Sequence, residues 1–169
     1  MLYLKCLNLE DSKQEFDFFK NMKSENGFMN DYENISYEDF INTVLPTRFK
    51  YSQGIDLPQN HVPDTYFFLW DDNKIVGLFK IRHYLNDALK NGSGHIGYGI
   101  LKDYRQQGYA SQGLALAIQE CQKLMPSHET EIYMSCYKHN LASLKTMLKN
   151  NAYIHHEDED HYYTRIKIR

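Results

Sequence analysis

Long apolar runs are missing from this sequence. Nowhere along its 169 residues do apolar side chains continue for the ~20 positions that a membrane-spanning helix needs. Met1-Leu2-Tyr3-Leu4-Lys5-Cys6 is also too short and too polar to read as a secretory leader, so neither export nor membrane insertion is expected. Cysteine is scarce: Cys6, Cys121 and Cys136 are odd in number, far apart and without metal-type spacing. That argues against a disulfide framework and against a zinc site, and a reducing, cytoplasmic setting fits best. Positive charge is not in excess, since 19 Lys and Arg face 22 Asp and Glu for a formal net charge of -3. An electrostatic grip on nucleic acid or on an anionic membrane is therefore not expected. Small molecules or protein side chains remain as partners. Internal repeats and low-complexity tracts are absent too.

What the chain does have is aromatic side chains, 14 Tyr and 9 Phe, many of them in short alternating runs that favour a substantial sheet. At this length one hydrophobic core, and so one domain over residues 1–169, is expected. Leu2, Leu4 and Cys6 alternate as a first strand; Asp11-Ser12 offers caps for a helix from Lys13 to Met22. Ser36 caps a second helix from Tyr37 to about Val44, closed by Pro46, and Lys50 to Pro63 reads as a long loop suited to a lid or binding wall. Thr65 to Trp70 and Lys74 to Arg82 form a hairpin about Asp71-Asp72-Asn73. After an insert from His83 to Gly94, His95 to Leu101 is a further strand. Ala110, Leu114, Ala117, Cys121 and Leu124 recur at helical spacing until Pro126. Glu131 to Tyr137 is a strand, Asn140 caps a helix to Lys149, and a terminal hairpin flanks the acidic turn Glu157 to Asp160.

Arg105-Gln106-Gln107-Gly108-Tyr109-Ala110 leaves a strand and opens a helix, where unpaired N–H groups at the positive end of the helix dipole suit a diphosphate. Small residues at 108 and 110 let a phosphate meet the backbone, with Arg105 or Gln106 as added donors. An ordinary tight turn is the alternative. Dinucleotide and ATP folds do not fit, because no Gly-x-Gly-x-x-Gly follows the first strand and no phosphate-binding Gly-Lys-Ser/Thr loop is present.

Arg105 to Ala110 matches the signature of the GNAT superfamily of N-acetyltransferases: Arg or Gln, two residues, Gly, one residue, then Gly or Ala. The strand order resembles that family's as well, and Asn140-Leu141-Ala142-Ser143 is similar to its second pattern. Val62 to Phe68, Ile81 to Asn86 and Gly94 to Tyr98 resemble a bacterial branch of the superfamily that by itself implies no particular substrate. The resemblance implies an α/β fold with a mixed, mostly antiparallel central sheet of six to seven strands and about four helices. It implies acetyl-CoA as co-substrate, with no metal, and direct attack by the primary amine of a small molecule or peptide in a ternary complex. A homodimer stays open.

On matching positions, the resemblance implies a slot for the pantetheine arm between Ile100-Leu101-Lys102 and the strand Tyr133 to Tyr137, which includes Cys136. The Ile100 amide would face the thioester oxygen and stabilise the oxyanion. Amides from Gln106 through Gln107, Gly108, Tyr109 and Ala110 to Ser111 would hold the diphosphate. Asn140, Ser143 and Lys145 would reach the cofactor's far side. Many members carry a Tyr that protonates the leaving thiolate where this chain has Met147, so that role falls to Tyr98, Tyr137, water or nothing. His95 is the first candidate for a general base, a structural histidine being the alternative. Arg82, His83 and Asn86 follow the third strand, where they would recognise an acidic or polar acceptor or merely end a solvated strand. An inactive acyl-CoA-binding sensor or scaffold is the competing function. The His155 to His161 cluster lies across a hairpin turn, where charge is easily solvated, and metal binding is not expected there.

Overall fold

Alternating apolar side chains become strands along the whole chain. The structure, a computed structural model, describes residues 1–168. In it β1 (Leu2–Cys6), β2 (Asp64–Asp71), β3 (Lys74–Arg82) and β4 (Ile96–Ile100) form an antiparallel sheet in that order. A second antiparallel sheet has the order β5 (Glu131–Tyr137), β7 (His161–Lys167), β6 (Tyr153–Glu157). The α/β fold with six to seven mostly antiparallel strands is found, with seven strands divided between two sheets where one central sheet was expected.

The division falls between β4 and β5, and its cause is local. Gly94, at φ +66, lies so close to β5 that an added Cβ would sit 2.1 Å from the Tyr133 carbonyl oxygen; only glycine allows the two backbones to meet there. A bridge joins Gly94 to Met134, and His95 N donates to Tyr133 O at 2.7 Å. The Tyr133 amide donates not to backbone but to the His95 ring, Nδ1, at 2.9 Å. The imidazole thus takes the donor that a continuing ladder would need, and beyond it β4 and β5 run unpaired among the described residues.

Helices cover both faces of the first sheet. On one side α5 (Tyr109–Leu124) buries Leu114, Ala117 and Cys121 with Leu69, Phe79 and Ile81. On the other, α1 (Ser12–Asn21) brings Phe18 and Phe19 against Phe68 and Phe40, each buried ring stabilising the fold by about 1.5–3 kcal/mol. The Asp11 side chain does not cap α1; it accepts from Asn8 Nδ2 at 2.8 Å and pairs with Lys5.

Ser36 does cap α2 (Tyr37–Asp39), accepting from Asp39 N at 3.0 Å. The expected stop at Pro46 is not one. The chain continues through a π-helical turn, Phe40–Val44, into α3 (Leu45–Ser52), and Pro46 falls in the first turn of that helix. The widened bond from Leu45 N to Phe40 O restarts the ladder just before a residue that lacks an N–H, and a first turn tolerates proline. A short α4 (Asp87–Lys90) occupies the insert before β4, and α6 (Leu141–Lys149) follows β5. Asn140 caps α6, accepting from Ser143 N at 3.2 Å, and Asn151 supplies the left-handed residue after it at φ 64.

Candidate active site

The free edge of β4 is the starting point. Leu101 N donates to Val76 O and Arg82 N to His95 O, and Leu78 lies opposite Gly99 with Lys80 opposite Gly97. Bonded pairs alternate along an antiparallel ladder. The amides of Gly97, Gly99 and Leu101 therefore face β3, while those of Ile96, Tyr98 and Ile100 face the gap towards β5. The Ile100 carbonyl, at the same edge, accepts from Arg105 Nε at 2.9 Å.

From this edge the chain makes a 3-10 turn, Lys102–Tyr104, and reaches α5 through two left-handed residues, Gln106 at φ 60 and Gly108 at φ 85. Gly108 is the N-cap and no side chain caps the helix. The first intrahelical bond runs from Gln112 N to Gly108 O at 3.1 Å, so the amides of Tyr109, Ala110 and Ser111 precede the ladder and stay free to bind an anion. A cavity of about 490 Å³ extends from here between β4 and α6.

A second cavity, of about 460 Å³, is bordered by Ile96, Gly97 and Tyr98 of β4 and by Ser135, Cys136 and Tyr137 of β5. The two meet at Asn26, Phe28, Tyr98, Asn140 and Ser143, which line both. Tyr98 stacks on Phe79 at 5.3 Å between ring centroids and its hydroxyl lies 2.9 Å from Ser143 Oγ. Burial pushes its pKa up to about 12, so the phenol keeps its proton near neutral pH. The second cavity presents Lys80 and Arg82 from β3 together with Asp31, Tyr66, Tyr137 and His161.

A sequence model of the acetyltransferase (GNAT) family matches residues 29–152. The chain belongs to the GNAT acetyltransferase family. Solved structures carry the same fold. An acetyltransferase of the GNAT family from Streptococcus pneumoniae aligns at 17% identity and TM-score 0.64 over 99% of this chain and 100% of that one. A ribosomal-protein-S5-alanine acetyltransferase from Vibrio fischeri aligns at 16% identity and TM-score 0.70 over 98% and 92%. A spermidine N-acetyltransferase chimera from Vibrio cholerae aligns at 13% identity and TM-score 0.63 over 98% and 95%. No curated protein sequence matches.

Most residues assigned to the cofactor by the GNAT signature line the first cavity: Ile100, Arg105, Gln106, Gly108, Tyr109, Ala110, Ser111, Asn140, Ser143 and Lys145. Leu101, Lys102 and Gln107 do not, and Cys136 lines the second cavity instead. Several side chains are already engaged. Arg105, expected as a phosphate donor, bonds Ile100 O and pairs with Glu25, whose carboxyl it holds below its usual pKa. Asn140 is committed to its cap and reaches Asn26 O at 3.5 Å. Met147 is buried, with its sulfur accepting from Thr164 Oγ1 at 3.2 Å.

The proposed base needs correction. His95 is 0% exposed and lines neither cavity, its ring being held in the β4–β5 seam by the Tyr133 amide. Burial, reinforced by Arg82, lowers its pKa to about 4, and Glu129 lies 3.6 Å from Nε2, too far for a hydrogen bond. A ring enclosed in that way cannot reach an acceptor. Of the three residues assigned to the acceptor, only Arg82 lines a cavity. His83 Nε2 bonds Thr65 Oγ1 at 2.8 Å, and Asn86 caps α4 while donating to Asn60 O at 2.9 Å.

The long loop before β2 lines neither cavity. That wall is formed instead by the segment after α1: Glu25, Asn26 and Phe28 reach the first cavity, and Asn26 through Tyr32 the second. Asn30 fixes it by donating to the carbonyls of Phe19 and Met22 at the end of α1. Asn26-Gly27, both left-handed, is a turn dipeptide that sequence reading could have used; Lys80 left no comparable signal.

Proposed function

We propose that residues 1–169 form a single acetyl-CoA-dependent N-acetyltransferase domain that moves an acetyl group to the primary amine of a small molecule or peptide. What supports this most is the open edge of β4 leading directly into the uncapped start of α5, with two cavities that meet at Tyr98. Free amides at Tyr109, Ala110 and Ser111 offer the diphosphate three donors. The Tyr98 and Ile100 amides offer the pantetheine arm and thioester the pairing that β5 does not take.

Acetyl-CoA, when bound, supplies an activated acyl carbon and a thiolate leaving group. The Ile100 amide, facing the gap, stabilises charge on the carbonyl oxygen as the amine attacks. Tyr98, at the junction of the cavities and protonated at neutral pH, delivers a proton to the departing sulfur as the new C–N bond forms and C–S breaks; the proton lost by the amine passes to water, which returns one to the Tyr98 phenolate. No side chain is assigned as base, and no protein nucleophile is required. The free cysteines Cys6, Cys121 and Cys136 accord with a cytoplasmic site of action.

Coenzyme A release from acetyl-CoA, measured against amino acids, polyamines, aminoglycosides and peptide N-termini, tests the reading. Turnover with at least one amine class is expected. Tight acetyl-CoA binding with no release from any of them would identify an acyl-CoA-binding module without catalysis.

A further inference from the structure

The second cavity has more half-buried positive charge than its own residues neutralise. Leu78, Lys80 and Arg82 share one face of β3, as alternate strand residues do, and all three line the cavity. Asp64, 4% exposed, is the buried carboxylate beside them. It pairs with Arg48, which is itself buried and stacked over the Tyr66 ring at 3.9 Å, and it lies 3.4 Å from Lys80 Nζ. One carboxylate thus faces two cations. Arg82 stands directly opposite Asp64 in the β2–β3 register, yet it donates to the Gly94 carbonyl at 3.0 Å and has no ion-pair partner among the described residues. Neither Asp64 nor Arg48 lines the cavity itself; Asp31, the acid that does, is exposed.

Cations partly withdrawn from water call for an anion. Burial, with Arg82 and Arg48 next, pulls Lys80 down to about 8 against the pull of Asp31, and the Asp64 carboxylate at 3.4 Å favours the charged form as well, so Lys80 is still mostly charged at neutral pH. The residue next to Lys80 across the ladder is Gly97. A Cβ there would meet nothing within 4 Å, so the face above Gly97, which lines the same cavity as Lys80, is open.

We propose that this cavity binds acceptors carrying an acidic group, and that Lys80 and Arg82 receive the carboxylate while the amine end points along β4 towards Tyr98 and Ile100. The proposal rests on the transferase reading for the identity of the amine end only. Gly97 and Ile100 are three residues apart, roughly 10 Å of strand. A spacer of several bonds between acid and amine therefore suits the site better than an α-amino acid. The cavity volume of about 460 Å³ fits a free small molecule, an ω-amino acid in chemical terms.

Two readouts test this, one of them independent of turnover. With coenzyme A saturating, pentanoate should raise Tm and pentanamide should not, and Lys80→Gln and Arg82→Gln should each abolish the difference. Equal effects of acid and amide on the wild-type protein would overturn the proposal. In the turnover arm, kcat/KM for 5-aminopentanoate should exceed that for 5-aminopentanamide and pentane-1,5-diamine by about tenfold or more, the worth of one charge-assisted contact. Both variants should bring that ratio towards one, with Arg82→Lys retaining part of it in case Arg82→Gln folds poorly. A preference for the diamine would also overturn the proposal. Pentanoate binding without coenzyme A release from any amine would leave the acid site standing and sink the transferase reading. Ala-Gly-Glu and Ala-Gly-Gln, both C-terminally amidated, separate a peptide source from a small molecule; a glutamate preference stronger than that for 5-aminopentanoate would reassign the acid to a peptide.

Discussion

Gly108→Val separates the binding role of the turn before α5 from its role in folding. Gly108 sits at φ +85, and a Cβ there would meet only the mobile end of Gln112, Nε2 at 3.3 Å. The folding cost is therefore left-handed strain alone, on the order of 1–2 kcal/mol for a side chain in that region. At roughly 2–4 °C per kcal/mol for a domain of this size, Tm should fall by about 2–8 °C. The valine branches would project into the cradle lined by Gly108, Tyr109 and Ala110. Losing two charge-assisted bonds to the diphosphate removes about 3 kcal/mol or more, so Kd for coenzyme A should rise about a hundredfold. Titration calorimetry reads the affinity and a thermal melt reads the fold. Gly94→Ala serves as the contrasting variant: its Cβ would meet the Tyr133 backbone at 2.1 Å, so it should lose far more stability. A folded Gly108→Val protein that binds coenzyme A as tightly as the wild type would refute the reasoning.

Three further outcomes are expected. Tyr98→Phe should lower kcat by about tenfold or more at pH 7 with coenzyme A affinity within about threefold, and an unchanged kcat would remove Tyr98 from proton delivery. His95→Asn, which keeps an acceptor for the Tyr133 amide, should retain kcat within about threefold; a collapse of kcat with unchanged Tm would restore the general-base role. Glu15 is 0% exposed, with Oε1 accepting from Asn8 N and Oε2 unpartnered, and burial raises its pKa from 4.5 to about 8. The folded protein therefore holds a proton that the unfolded chain releases. Stability from this group is full below pH 4.5 and is lost as pH rises towards 8, by up to about 1.4 kcal/mol per unit. His95 works in the opposite sense, but only between about 6.5 and 4. Lys80, lowered to about 8, also opposes Glu15 near the top of the range, so melts between pH 6.5 and 8 are compared between wild type and Glu15→Gln: the variant should lose the downward contribution to the slope, and an unaltered slope would contradict the assignment.

Where a signal was local, the sequence was readable. The alternation through Tyr66 to Ile81, the helical spacing from Ala110 to Leu124 and the glycine-bearing turn between β4 and α5 each follow from a few neighbouring residues, and each is found as expected. The misreadings arise where distant segments decide. Pro46 stops a regular helix, but the π-helical turn ahead of it lets the chain continue. His95 carries the right chemistry for a base, yet its ring is fixed by a residue 38 positions away. The division of the sheet depends on Gly94 lying against Tyr133, and the cavity wall after α1 depends on Asn30 reaching two helix carbonyls. Lys80 looks like any strand lysine until the packing of Arg48, Asp64 and Arg82 around it is known.

Backbone amide shifts of the 15N-labelled protein, followed while coenzyme A is added, test the central claim most directly. The largest changes should fall on Tyr98, Ile100 and Gly108 through Ser111. Saturable binding that leaves those amides unmoved while shifting others would contradict it.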